Sequence, residues 1–163
     1  MRIGIVSDTH SRHATVVRVV ELLRAEKVDL VLHCGDIEDG QTVELLGGLP
    51  THFVLGNCDA DVKELRRAMQ KTGAILHEPF GDLELAGRKI AWLHGDDKRL
   101  LQDLEQCGHF DYLFYGHTHQ AEQHRAGGTL VVNPGALHRA QPKTFTVLDL
   151  DRDELQSIEL PGL

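Results

Sequence analysis

A chain of 163 residues, 41% hydrophobic and 26% charged, has the size and balance of one folded domain with a buried core, which excludes a disordered or fibrous polymer. Its formal charge of -8 and aromatic content of 5% argue against a face that grips nucleic acid, which needs clustered cations and stacking rings. Cys34, Cys58 and Cys107 form neither a Cys-x-x-Cys pair nor an even disulfide framework, and no apolar run reaches signal-peptide or membrane-span length, so a cytoplasmic setting without a membrane partner is expected.

Ile3 to Val6, Val28 to Leu32 and Phe53 to Leu55 are short apolar runs ahead of polar residues and read as buried strands. Between the first two, Val16, Val17, Val19, Val20, Leu22 and Leu23 recur at helical spacing within Ala14 to Ala25, which makes a β-α-β unit. A shorter helix carries Glu44-Leu45-Leu46; Gly47 and Gly48 should end it, and Pro50 stops it continuing. Asp61 to Lys71 is rich in helix formers with Asp61 as a cap, and Lys98 to Gln106 sets Leu100, Leu101 and Leu104 on one stripe. Further on, Leu83 to Leu85, Lys89 to Leu93, Tyr112 to Tyr115, Leu130 to Val132, Phe145 to Leu150 and Leu155 to Leu160 are strand-like. Gly127-Gly128 and Asp151-Arg152-Asp153 read as hairpin turns. The expected fold is α/β: a two-sheet β-sandwich flanked by helices in αββα layers, a single domain over residues 1–163. The C-terminal strands are expected to form an antiparallel or mixed second sheet.

Five short patches carry metal-binding side chains: Asp8-Thr9-His10, Gly35-Asp36, Gly56-Asn57, His94-Gly95 and Gly116-His117-Thr118-His119. Each follows an apolar run, so loops at the C-terminal ends of strands can bring them to one sheet edge. Asp8 and His10 are alternate residues, which point the same way in extended or loop backbone and can share one ion; His117 and His119 repeat the spacing and either share an ion or serve neighbouring ones. Two Asp, one Asn and four His suit two metal ions sharing a bridging carboxylate. Taken singly, each patch reads as an ordinary turn, cap or strand-end histidine.

In their joint order the five motifs resemble the calcineurin-like metallophosphoesterases over nearly the whole chain. Gly56-Asn57-Cys58-Asp59 and Asn133-Pro134-Gly135 resemble the small single-domain bacterial and archaeal phosphodiesterase branch. That resemblance implies two divalent ions, one held by Asp8, His10, Asp36 and His119 and the other by Asp36, Asn57, His94 and His117. Manganese is the expected ion, with iron, nickel or zinc as alternatives. It implies a phosphodiesterase that hydrolyses a small-molecule phosphate ester through a metal-bound hydroxide. A phosphomonoesterase, or a non-catalytic metal-binding scaffold of the same fold, are the alternatives.

The chain also departs from the family pattern. Cys58 stands where many members carry a proton-donating histidine, and a thiol is a poor acid at its ordinary pKa of about 8.5. Asp59 is then the candidate helper, so Asp36, Asn57 and Asp59 form the expected catalytic set. Asp96 follows His94-Gly95 where another histidine is frequent, and Ala136 stands where serine is common, leaving His138 and Arg139 as candidates for substrate contact. His33 is a candidate support for the site, whereas His13, His52, His77, His109 and His124 read as surface or loop histidines. The apolar segment around Leu160 and Leu163 either supports a homodimer contact or completes the sheet.

Overall fold

Alternation along the first strand sets the layers. The computed structural model describes residues 1–161, and in its first strand, β1 (Arg2–Val6), Ile3 and Ile5 are buried in one cluster with Leu32, Ile90, Trp92 and Phe114. Val6 joins a different cluster on the opposite face, with Val19 and Leu23 of α1 (His13–Ala25). Gly4 shares that face, where a Cβ would collide with the Leu23 side chain, so glycine lets the helix lie close to the strand.

β2 (Leu30–His33), β3 (Thr51–Phe53) and β4 (Ile75–Leu76) follow β1 in parallel, with α1, α2 (Gly40–Leu46) and α3 (Val62–Thr72) as the intervening helices. Asp39 caps α2 by accepting from Thr42 N–H, and Asp61 caps α3 by accepting from Glu64 N–H. A second sheet holds β5 (Gly81–Leu85), β6 (Arg88–Trp92), β7 (Tyr112–Phe114), β8 (Glu122–Ala126) and β9 (Thr129–Asn133) in the order β5-β6-β7-β9-β8. Its central strands β6, β7 and β9 are parallel, and its edges are antiparallel. α4 (Lys98–Gln106), capped by Asp97, covers the outer face of this sheet through Leu104, packed with Ala91, Leu113 and Val131. The two inner faces bury Trp92 and Phe114 fully, each side chain contributing roughly 1.5–3 kcal/mol relative to exposure.

The αββα order agrees with the expectation, but the C-terminus does not form the second sheet. β10 (Thr144–Asp149) returns to pair antiparallel with β1, and β11 (Glu154–Glu159) pairs with β10, giving the order β11-β10-β1-β2-β3-β4. Phe145 and Val147 lie under α1, and Leu148 lies between the sheets, so both faces of β10 are buried and the strand belongs inside the first sheet. β4 and β8 were absent from the sequence reading: β4 has two residues, and β8 is polar and exposed along nearly its whole length. Val17 points to solvent at 43% exposure, outside the buried stripe of α1. Leu160 is buried in the cluster under α1 and completes the core, whereas Leu163 lies outside the described residues. Among the described residues no helix is long and apolar enough to cross a membrane.

Candidate metal centre

Loops leaving the C-terminal ends of β1, β2, β3, β6 and β7 meet at one edge of the sandwich. Backbone hydrogen bonds extend the strand ladders into them: Asp8 N–H donates to Gly35 O (3.1 Å), His10 N–H to Asp36 O (3.1 Å) and Gly116 N–H to His94 O (2.8 Å). Parallel strands direct successive loops to the same edge, which is why residues scattered over the whole chain come together.

All seven metal-ligand candidates lie there. His119 Nε2 is 3.2 Å from Asp8 Oδ1, and His10 Nε2 is 3.9 Å from the same oxygen. Asn57 Oδ1 is 3.1 Å from His94 Nε2, and the His117 ring centroid is 5.1 Å from that of His94. Between these two groups stands Asp36, whose Oδ2 is 3.4 Å from both His10 Nε2 and His94 Nε2. Potential ligand atoms of Asp8, His10 and His119 lie within 4.8 Å of one another, as do those of Asp8, Asp36 and His94.

The backbone at these candidates is loop rather than strand. Asp8 (φ 54°), His10 (φ 43°), Asp36 (φ 56°), His117 (φ 68°) and His119 (φ 59°) are all left-handed. Such conformations cost about 1–2 kcal/mol each for residues with a Cβ, and they persist where surrounding contacts over-determine them. Two glycines supply the room. A Cβ at Gly56 would collide with Asp36 Oδ1 and N, and one at Gly116 with Ser7 Oγ and Asp8 Oδ2.

Hydrogen bonds fix which ring atoms face inward. His94 Nδ1–H donates to Cys34 O (2.8 Å) and His10 Nδ1 pairs with Glu38 Oε1 (2.7 Å), so in both rings Nε2 faces the cluster. Sequence reading missed Glu38, which carries no motif. Asp8 Oδ2 accepts from Ser7 Oγ–H (2.5 Å) and His117 N–H (3.2 Å), but Asp8 Oδ1 and His10 Nε2 are buried without a hydrogen-bond partner. Buried polar atoms are rarely left so, and a lone pair on each, aimed at a common space lined by imidazole and carboxylate, fits a divalent cation. Burial lowers the His94 pKa, but the neighbouring Asp36 carboxylate outweighs it and pushes the ring up to about 9. Burial acts to raise the Asp36 pKa, yet His94 and the Cys58 N–H hold the carboxyl well below the usual range.

The supporting residues divide differently from expectation. Asp59 is buried, and its carboxylate accepts four backbone N–H bonds: Ile37 and Glu38 on Oδ1 (both 2.7 Å), Asp36 and Gly56 on Oδ2 (3.0 and 2.7 Å). It ties the Asp36 loop to the Gly56 loop and presents no free oxygen to the site. Cys58 donates its N–H to Asp36 Oδ1 (2.9 Å), and its thiol pKa is pushed up to about 11 by burial and by the Asp36 carboxylate. His33 is fully buried as a support: Gly35 N–H donates to its Nδ1 (3.1 Å), its Nε2 meets Thr9 Oγ1 (3.1 Å), and Thr9 Oγ1–H donates to Asp36 O (3.2 Å). Asn133 braces the opposite side, donating from Nδ2 to Gly116 O (2.9 Å) and Thr118 Oγ1 (3.0 Å).

Asp96 is exposed. Three of the histidines read as surface residues have partners and are half-buried: His13 meets Asp39 (2.8 Å), and His52 Nδ1 meets His77 Nε2 (2.9 Å) beside Trp92. His109 and His124 are exposed as expected.

Comparison with known proteins adds an independent line. The family model described as a calcineurin-like phosphoesterase superfamily domain matches residues 1–153. A phosphodiesterase of Methanocaldococcus jannaschii is 28% identical over 167 residues, covering 98% of this chain and 99% of the relative. A probable metallophosphoesterase of Bacillus subtilis is 29% identical over 163 residues, covering 94% of this chain and 86% of the relative. Among solved structures, one described as a novel archaeal phosphodiesterase superposes with a TM-score of 0.91 at 28% identity, covering 98% of this chain and all of that one.

Proposed function

The chain belongs to the calcineurin-like phosphoesterase superfamily and is a metal-dependent phosphoric ester hydrolase, and on that premise we propose that it is a dinuclear phosphodiesterase acting on a small soluble phosphodiester. One observation carries the reading: Asp36 Oδ2 lies 3.4 Å from the inward Nε2 of both His10 and His94, the position of a carboxylate shared between two ions. Asp8, His10 and His119 would complete one ion's set with Asp36; Asn57, His94 and His117 would complete the other. Two divalent ions, manganese in our reading, would lower the pKa of a water and offset the charge on the phosphoryl oxygens.

The chain's own residues do the rest. Glu38 and Cys34 O orient the two inward imidazoles, and Asp59 and His33 hold the Asp36 loop in its left-handed conformation. Asp59 is therefore a positioning residue in this reading and not a proton donor. With the Cys58 thiol held protonated at neutral pH, departure of the ester oxygen receives little help, and substrates with good leaving groups are favoured. Glu38, beside His10, repels a phosphate dianion more than a diester monoanion, which favours diesters.

Steady-state hydrolysis of bis-p-nitrophenyl phosphate beside p-nitrophenyl phosphate tests the proposal, with metal-stripped protein reloaded with manganese and Asp36→Asn as control. Manganese-dependent diester cleavage lost in the control is expected. Faster monoester cleavage would make the chain a phosphomonoesterase, and metal binding without cleavage of either ester would leave a non-catalytic scaffold.

A further inference from the structure

We propose that Arg12, His138 and Arg139 form an anion subsite beside the metal centre that takes a second phosphate group of the substrate. The segment after β9 carries His138 across the edge of the sandwich until its ring centroid is 4.9 Å from that of His10 and 6.4 Å from that of His119. From the loop after β1, 126 positions away, Arg12 Nε–H donates to His138 Nδ1 at 3.0 Å. A ring nitrogen that accepts a hydrogen bond has no proton, so the neutral ring carries its hydrogen on Nε2 and is a donor there.

Charge placement points to a ligand. The chain has 25 acidic against 17 basic side chains, so carboxylate partners are in surplus. Among the described residues Arg12 and Arg139 form no ion pair, as Arg24, Arg67, Arg99 and Arg125 also do not; what sets Arg12 apart is that His138 holds it beside the metal centre. Arg12 spends only its Nε–H on His138 and keeps both terminal amino groups, a donor fork that matches a phosphate. The carboxylates of Asp8 and Asp36 face the metal cluster, and Glu38 is engaged with Nδ1 of His10. An additional phosphate near the scissile one would meet those Arg12 amino groups where His138 packs against His10. The subsite stands on this geometry; assigning its occupant to the same molecule as the scissile ester rests on the phosphodiesterase reading.

The test compares two esters that share one scissile bond: the 5′-p-nitrophenyl esters of thymidine 5′-phosphate and of thymidine 3′,5′-bisphosphate. The bisphosphate ester should have a kcat/KM higher by roughly tenfold or more, and Arg12→Gln and Arg139→Gln should bring the ratio close to one. A merely structural role for these residues would depress both esters alike. Calorimetric titration of the manganese-loaded protein with thymidine 3′,5′-bisphosphate and thymidine 5′-monophosphate separates the two readings. Preferential bisphosphate binding that disappears in Arg12→Gln, without hydrolysis of either ester, would uphold the subsite and refute the phosphodiesterase reading. Equal kcat/KM and equal binding in the wild type, or a preference that survives in the doubly substituted protein, would overturn the subsite.

Discussion

Asp59→Asn distinguishes a residue that positions the site from one that donates a proton. In the wild type two carboxylate oxygens accept four backbone N–H groups, three at 2.7 Å and one at 3.0 Å, at a residue that is 6% exposed. Asparagine keeps one oxygen and turns an NH2 toward two N–H donors, so two charge-assisted bonds are lost and donors face donors. At roughly 1.5–3 kcal/mol for each bond to a charged group, the loss is about 3–6 kcal/mol. For a chain of this size that lowers Tm by about 6–24 °C. The Asp36 and Gly56 loops should loosen together, so manganese affinity falls and hydrolysis drops for bis-aryl phosphates irrespective of leaving-group pKa. Thermal melts, calorimetric manganese titration and a leaving-group series read these effects separately. An unchanged Tm and manganese affinity, with activity lost only on poor leaving groups, would make Asp59 the proton donor and refute the positioning argument.

Cys58→His restores an acid near the leaving oxygen and should accelerate hydrolysis of poor-leaving-group diesters by roughly a hundredfold or more, with little change for p-nitrophenyl esters; no gain on alkyl diesters in the leaving-group series would count against a missing acid. Gly56→Ala drives a Cβ into Asp36 Oδ1 and N, so manganese binding followed by calorimetry should be lost even where circular dichroism shows a folded chain. His33 has a folded pKa of about 3, driven down chiefly by burial, against an ordinary 6.5. Its contribution is complete above pH 6.5 and is lost as pH falls toward 3, by about 1.4 kcal/mol per pH unit. Urea denaturation of metal-free protein at several pH values should show a shallower acid dependence in His33→Gln than in the wild type. Chelation of the loaded protein should lower Tm, because ions bind the folded site: saturation at a hundred times Kd corresponds to about 2.7 kcal/mol. An unchanged melt in excess chelator would mean the site binds no ion.

The chemistry of the site was legible because it resides in residue types and in what precedes them. Asp8, His10, Asp36, Asn57, His94, His117 and His119 each follow an apolar run, and strand periodicity and metal-donor chemistry are both local properties of a few neighbouring residues. The Asp61 cap, the Leu100, Leu101 and Leu104 stripe and the turn at Gly127-Gly128 are local in the same sense, so α3, α4 and the turn before β9 follow from short stretches of chain. β8 itself was not legible, because an exposed edge strand needs no apolar alternation.

Long-range pairing decided the remainder. Whether β10 joins the first or the second sheet depends on which faces it buries, and only its antiparallel register with β1 settles that. Asp59 reads as a catalytic helper from its place beside Cys58, whereas the fold brings four N–H groups from two loops onto its carboxylate. The left-handed backbone at five of the donors, the ring orientations set by Glu38 and Cys34, and the contact of Arg12 with His138 all depend on partners distant in the chain. A residue's donor atoms are intrinsic to it, so sequence by itself determined what the site is made of. The direction in which those atoms point, and what satisfies or leaves unsatisfied their lone pairs, is set by neighbours that only folding brings within hydrogen-bond range.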